Sequence, residues 1–143
     1  TLAMAIIDPL AGIVHEPTQT EGRGVDLTVA DVLEVTEPGR IDFGGGELEA
    51  AETAAVATER RDPEDDYGWW NLEAGGYLLE YNESVDGDVV LDVQPRRELL
   101  ERGASHPSLR MTDLSRVPLA VGGAGLRLKE NARVSTVVGA RSA

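Results

Sequence analysis

Hydrophobic and polar positions alternate along the chain in short runs, and turn-forming residues separate these runs about every dozen positions. The most regular runs lie at 24–29, 77–81 and 89–93, and the segment 117–140 predicts three further short strands. Short alternating strands at this spacing are typical of an all-β sandwich or barrel. The pattern therefore predicts a mostly β fold, and residues 1–143 are expected to form a single domain.

Two short segments read as helices. Asp8 followed by Pro9 is a helix-start signal, with the aspartate as N-cap and the proline at the first helical position. The segment RELLERG predicts one amphipathic helical turn that ends at Gly103. The segment 47–59 fits a helix and a strand about equally, and we interpret it as weakly β.

Two glycine-containing turns predict hairpins. Asp86-Gly87 lies between the runs 77–81 and 89–93, which predicts that these two strands pair with each other. The run 122–125 is similarly interpreted as a hairpin turn, because no helical pattern follows it as a dinucleotide-binding loop would require.

The chain is strongly acidic. Its 26 acidic residues outnumber 13 basic ones, which gives a net charge of −13, and Lys129 is the only lysine beside twelve arginines. The acids are scattered rather than clustered, which favours adaptation to a salt-rich cytoplasm over an acidic partner-binding surface. Without a basic patch, binding to DNA or RNA is not expected.

Several classes of site are excluded by composition. The chain has no cysteine, so disulfides and cysteine-ligated zinc are impossible, and its two histidines are too few for a histidine-rich metal site. It also has no apolar run approaching the roughly 20 residues that cross a bilayer. We therefore expect a cytoplasmic protein without a membrane contact and without a metal ligand set of its own.

The block Pro95-Arg96, Leu99-Leu100 and Gly103-Ala104 resembles the Pro-Arg-Ser-Ser-Leu-Leu block and following Gly-Ala of the dUTPase and dCTP deaminase superfamily. The flanking segments 72–83, 25–27, 125–128 and 132–134 are similar to other motifs of the family, in the same order. The resemblance covers about half of the chain, mainly 71–104 and 117–138.

The resemblance implies a distorted β-barrel or jelly-roll with one or two short helices, usually assembled as a homotrimer with sites at subunit boundaries. Members hydrolyse dUTP to dUMP and pyrophosphate, or deaminate dCTP, and Mg²⁺ accompanies the nucleotide triphosphate. These activities agree with the residue types, because phosphates bind arginines and a carboxylate is needed to activate water.

The sequence departs from the family pattern at several site positions. Arg97 and Glu98 replace the two serines, and Asp113 is the only carboxylate in the shortened block that normally carries the water-activating aspartate. Ala120 occupies the position of the deaminase glutamate, and Thr136 replaces a closing glutamine. These changes favour dUTP hydrolysis over dCTP deamination, and they leave open an inactive member that binds nucleotide or serves as a structural subunit.

In the family frame, Asp113 is the candidate catalytic base, although its place after Thr112 and before a leucine favours a turn or cap role. Arg96 and Arg97 are candidate phosphate contacts, and surface ion pairs with Glu98 or Glu101 are the alternative. Glu98 itself is included in the predicted substrate site.

Three further residues complete the predicted substrate site. Asp26 is expected either to hold a strand crossing or contact the sugar, or to be an ordinary strand-edge carboxylate. His106 is expected to line the site or, as the favoured interpretation, to face solvent from a loop. Arg133 lies in the closing motif. Outside the site, Trp69 and Trp70 are expected in the core or an interface rather than against a base.

Overall fold

Strands dominate the protein in the computed structural model, which describes residues 2–143. The helices are α1 (Leu2–Ile7), α2 (Glu16–Gln19) and α3 (Arg97–Glu101). The strands are β1 (Leu10–Ala11), β2 (Val25–Glu37), β3 (Glu52–Ala55), β4 (Trp69–Leu72), β5 (Gly75–Tyr81), β6 (Ser84–Val85), β7 (Val89–Pro95), β8 (Ala104–Ser105), β9 (Leu109–Met111), β10 (Val117–Val121), β11 (Leu126–Lys129) and β12 (Arg133–Ser142).

Eight strands form one curled antiparallel sheet in the order β8-β10-β5-β2-β12-β7-β9, with β3 added beside β2. Two small sheets, β1-β6 and β11-β4, complete the half-barrel. The predicted mostly β class and barrel or jelly-roll character are confirmed. The described residues hold three short helices, where one or two were expected.

The long strand β2 links the two halves of the sheet. Its first residues pair with β12, and from Val29 onward it pairs with β5, with a register shift between Val29 and Asp31. Such bulges bend and twist a strand, which lets one continuous strand change partners. The core lies inside this curl and includes Leu27, Leu79 and Trp70, each at most 2% exposed.

Both predicted hairpins are wrong. β5 pairs with β10 and β2, whereas β7 pairs with β12 and β9, so the Asp86-Gly87 turn connects strands that are not neighbours. Likewise β10 pairs with β5 and β8 while β11 pairs with β4, although 122–125 does form a tight turn. In each case the strands pair with partners other than their neighbour across the turn, and buried apolar faces rather than the turn decide this pairing.

The helix predicted to start at Asp8 is also wrong. Helix α1 ends at Ile7, before that residue, and the following Leu10–Ala11 is the strand β1. The carbonyl of Pro9 accepts a hydrogen bond from the amide of Asp86, so this segment is extended by its pairing with β6.

The other local predictions hold. RELLERG forms helix α3, and Gly103 follows it with a positive φ of 85°, a conformation that favours glycine at a helix end. The weakly β segment 47–59 contains the short strand β3. Of the described residues, no helix is long and apolar enough to cross a membrane.

Candidate functional site

A cleft of about 580 Å³ opens where the start of β2, the end of β7 and the strand β12 meet. Twelve residues line it, and six of them are charged: Glu21, Arg23, Asp26, Arg96, Arg97 and Arg133. Four of the twelve arginines of the chain therefore line this one cleft beside two carboxylates. On a chain of net charge −13, this is a local excess of positive charge.

The strand register brings the floor of the cleft together. Asp26 on β2 lies opposite Thr136 on β12, and Thr136 lies opposite Gln94 on β7. Pro95 then ends β7, and Arg96 turns away from the sheet with φ −73° and ψ 150° before helix α3 begins. The resembling Pro-Arg block is thus placed beside the early aspartate by two long-range strand ladders.

Asp26 is the centre of the polar contacts in the cleft. Its side chain is buried, and its Oδ1 accepts a hydrogen bond of 2.7 Å from the hydroxyl of Thr136. Its Oδ2 lies 3.1 Å from Arg133 Nη1 and 3.5 Å from Arg96 Nε. A buried carboxylate requires such partners, so Asp26 orients both guanidinium groups. Because Asp26 is buried and engaged by three side chains, it is not an ordinary strand-edge carboxylate.

Arg133 is held on several sides. Its Nη1 donates to the carbonyl of Thr18 at 3.1 Å and to Glu21 Oε1 at 2.8 Å, in addition to Asp26. Burial lowers the pKa of Arg133, but its hydrogen bonds and charge interactions with Glu21 and Asp26 outweigh that effect, and the net pKa is raised. Arg133 is therefore a fixed positive charge at the cleft.

Arg96 is engaged at all three guanidinium nitrogens. Its Nε faces Asp26, its Nη1 donates to the carbonyl of Arg133 at 3.3 Å, and its Nη2 forms an ion pair with Glu98. The Arg96 side chain is 20% exposed and that of Glu98 is 51% exposed. The predicted ion pair with Glu98 is thus present, at the border of the same cleft.

Arg23 and Arg97 differ from these two arginines. Both line the cleft and both are exposed, and within residues 2–143 neither forms an ion pair. An anion that enters the cleft therefore meets two uncompensated guanidinium groups. Guanidinium groups bind phosphate oxygens in bidentate geometry.

No protein-family model matches the chain. Over 67 residues it is 37% identical to a protein of Halobacterium salinarum named probable deoxyuridine 5'-triphosphate nucleotidohydrolase, a match that covers 47% of this chain and 39% of the relative. Over 95 residues it is 27% identical to a protein of the same name from Methanococcoides burtonii, covering 65% of this chain and 52% of that relative. The chain thus spans about half or less of the length of these curated relatives. They support a dUTPase-like family.

Four of the predicted substrate-site residues are brought together: Asp26, Arg96, Arg97 and Arg133 all line the cleft. Glu98 does not line it but contacts Arg96. The sequence reasoning missed Arg23 and Glu21, which lie in the loop before β2. Both residues lie shortly before the motif that contains Asp26, and this closeness to a predicted site residue could have identified them.

Asp113 lies elsewhere on the same chain. It is exposed, does not line the cleft, and its Oδ1 accepts a hydrogen bond of 2.9 Å from the amide of Ser115. Hydrogen bonding to the side chain and then to the amide of Ser115 lowers the pKa of the Asp113 carboxyl. This local geometry is the turn or cap role that the sequence favoured.

His106 is buried rather than solvent-facing, which corrects the favoured interpretation. Its Nδ1 lies 2.8 Å from the carbonyl of Pro107 and its Nε2 lies 2.7 Å from Ser135 Oγ, which in turn lies 2.6 Å from the hydroxyl of Tyr81. Because a carbonyl only accepts, Nδ1 carries the proton and Nε2 accepts from Ser135. His106 does not line the cleft.

A second buried polar cluster was not predicted. Glu83 is 2% exposed and accepts hydrogen bonds from the amide and hydroxyl of Thr28 and from the side chain of Gln19. Burial raises the pKa of Glu83, although these hydrogen bonds oppose the shift. Gln19 also donates to the carbonyl of Asp26, so this cluster supports the strand that carries the central aspartate.

The tryptophans fulfil the core interpretation. Trp70 is buried and donates from Nε1 to the carbonyl of Val56 at 3.0 Å. Trp69 is half-buried, and Arg61 Cζ and Lys129 Nζ each lie 5.6 Å from the centre of its ring. Within residues 2–143, no group of three histidine, aspartate or glutamate side chains is arranged to hold a metal ion.

Proposed function

We propose that the protein is a dUTPase-like nucleotide hydrolase that converts dUTP to dUMP and pyrophosphate. The observation that carries the proposal is the arginine-lined cleft, which concentrates four arginines on an otherwise acidic chain. Its volume of about 580 Å³ is in the usual range for a small-molecule site. The names of the distant relatives agree with a deoxynucleotide triphosphate as the ligand.

In this proposal Arg97, Arg23 and Arg96 contact the phosphates, and Arg133 adds fixed positive charge beside them. Asp26 orients Arg96 and Arg133 through the contacts described above. Mg²⁺ enters with the triphosphate and reduces its charge, as in other phosphoryl-group reactions. The buried His106 is not used, because both of its ring nitrogens already have partners inside the protein.

Asp113 is the proposed water-activating carboxylate, and its position requires that the site be shared between two subunits. Since Asp113 does not line the cleft of its own chain, it must reach the cleft of a neighbouring subunit. The proposal therefore includes a homotrimer. Exposed apolar side chains at Ile41, Phe43 and Leu48, each at least 65% exposed, agree with an assembly that covers them.

The activity is tested by incubating the protein with dUTP and Mg²⁺ in concentrated salt and following dUMP and pyrophosphate. Arg97→Gln should reduce hydrolysis strongly, whereas Arg110→Gln, an exposed arginine outside the cleft, should retain it. Absence of pyrophosphate with folded protein would reject the proposed reaction.

Shared sites between subunits predict complementation. Arg97→Gln and Asp113→Asn should each be weakly active alone, and a mixture refolded together should regain activity, because some cleft boundaries then carry both native residues. Light scattering of the same samples reports the oligomeric state. A monomer with full activity would remove Asp113 from the mechanism.

Three alternatives can be distinguished from this proposal by experiment. The replacement of the two serines and the position of Asp113 are the observations behind an inactive member that binds nucleotide. For such a member, calorimetry would show dUTP binding without turnover. For a purely structural subunit, dUTP would not raise the thermal stability. Deamination of dCTP would release ammonia, and Ala120 on β10 offers no carboxylate for it.

A further inference from the structure

We propose that Glu98 controls the anion affinity of the cleft by competing with phosphate for Arg96. The inference rests on the proposed phosphate site and adds a residue that sets its affinity. Glu98 stands where the resembling family has a serine, and its carboxylate forms an ion pair with Arg96.

The contacts of Arg96 show which partner an incoming anion displaces. Asp26 is buried and also binds Thr136 and Arg133, and the carbonyl of Arg133 belongs to the backbone of β12. Neither can leave without disturbing the sheet. Glu98 is half-exposed, and within residues 2–143 its carboxylate has no other hydrogen-bond or ion-pair partner. Its side chain can therefore rotate into solvent at little cost.

Glu21 is a useful contrast, because it also pairs with a cleft arginine. Arg133 Nη1 donates to Glu21, to the carbonyl of Thr18 and to Asp26, so release of Glu21 leaves this nitrogen engaged. Arg96 Nη2 is contacted only by Glu98 among the described residues. Displacement of Glu98 thus frees a donor nitrogen, whereas displacement of Glu21 does not.

The physical consequence is a competition between two anions for one guanidinium. Without ligand, Glu98 neutralises Arg96 and keeps its Nη2 occupied. A polyphosphate offers several charged oxygens to the cleft arginines, so it can displace Glu98 from Arg96 with a net gain in binding free energy. A singly charged anion offers less charge and displaces Glu98 less readily. Glu98 therefore lowers the affinity of the cleft for any anion that must displace it from Arg96.

The test uses sodium tripolyphosphate without metal, so that it does not depend on hydrolysis. Calorimetry should show about three- to tenfold tighter binding for Glu98→Gln than for the wild type. Glu101→Gln is the matched control: it lies on the same helix, is exposed, carries the same charge change and has no contact with Arg96. Its affinity should change by less than about twofold.

Two further measurements separate competition from a general charge effect. The gain from Glu98→Gln should disappear in an Arg96→Gln background, because the competition requires both residues. In the wild type, the side-chain carboxyl ¹³C resonance of Glu98 should shift as tripolyphosphate is added, while that of Glu101 should not. The second measurement needs no variant at the cleft.

Equal affinities of Glu98→Gln and Glu101→Gln, or no binding by any variant, would overturn the inference. Weaker binding of Glu98→Gln that appears only when Mg²⁺ is added would also overturn it, by assigning Glu98 to the metal that accompanies the nucleotide. If Glu98→Gln binds tripolyphosphate more tightly but the wild type does not hydrolyse dUTP, the proposed function is rejected and the inference about Glu98 is retained.

Discussion

Thr136 and Asp26 face each other across the β12–β2 ladder, and the threonine hydroxyl donates a 2.7 Å hydrogen bond to the aspartate. The pair is 110 residues apart in sequence. It fixes one carboxylate oxygen, which leaves the other to face Arg96 and Arg133. The position where the family resemblance expects glutamine thus has a structural task in this chain.

Replacement of this hydroxyl should destabilise the fold. Thr136→Val keeps the shape of the side chain but leaves Asp26 Oδ1 without its donor, so we expect a loss of about 1–2 kcal/mol in the free energy of unfolding. Thr136→Ser retains the hydroxyl and should recover most of that loss. Urea unfolding of the three proteins measures the effect, and equal midpoints for the valine and serine variants would contradict the prediction.

Removal of the Asp26 charge should lower the free energy of unfolding more than removal of the Thr136 hydroxyl. Asp26→Asn leaves two partly buried arginines without their common partner, and we expect the free energy of unfolding to fall by about 2–4 kcal/mol. Asp92 is the matched control, because it also faces two arginines, Arg110 and Arg141, but is 36% exposed. Asp92→Asn should cost less than about 1 kcal/mol in the same denaturant experiment. Similar losses for both variants would show that burial of Asp26 does not matter.

Local sequence signals predicted the segment that carries Arg96 and the short helix after it. Pro95 ends a strand, Arg96 follows it and Gly103 ends the short helix, and these features depend on neighbouring residues only. The Asp86-Gly87 turn was also visible, but strand partners are chosen by apolar faces far away in the sequence. The turn therefore predicted a change of direction and not the partner strand.

The remainder of the site depends on long-range pairing and burial. The contact of Asp26 with Thr136 requires the register of β2 against β12, which no local pattern specifies. His106 lies in a polar segment typical of a surface loop, yet it is buried and bonded to Ser135 on β12, which in turn contacts Tyr81 on β5. Its interpretation failed because one histidine in a polar segment carries no periodicity from which burial can be inferred.

The two exposed arginines of the cleft should dominate the first contact with anions. Arg23→Gln and Arg97→Gln should each weaken tripolyphosphate binding about three- to tenfold, because each guanidinium can form charge-assisted hydrogen bonds without first leaving a partner. Arg110→Gln makes the same charge change outside the cleft and should have little effect. Calorimetry at low and high salt measures the three affinities. A uniform loss across all three variants would indicate only the overall charge.

The buried His106 should make stability depend on pH. Burial lowers the pKa of this histidine, although its hydrogen bond to Pro107 opposes the shift. The unfolded chain therefore binds the proton more readily, with a pKa of about 6.5. The stability contribution is full above that value and is lost as the pH falls from about 6.5 towards the lower folded-state pKa, at no more than about 1.4 kcal/mol per pH unit.

Protonation of Nε2 would turn this nitrogen from an acceptor into a donor, so the hydrogen bonds between His106, Ser135 and Tyr81 would have to reverse direction. The raised pKa of Glu83 acts in the opposite direction above about pH 4.5, since there the folded state holds its proton more readily. The effect of His106 is therefore measured as a difference in the free energy of unfolding between the wild type and His106→Gln. Urea unfolding at a series of pH values below and above about 6.5 gives this difference. His15→Gln is the control, because it keeps His106. The wild type and His15→Gln should both lose stability relative to His106→Gln as the pH falls below 6.5. Parallel pH profiles for the wild type and His106→Gln would assign the pH dependence to other groups.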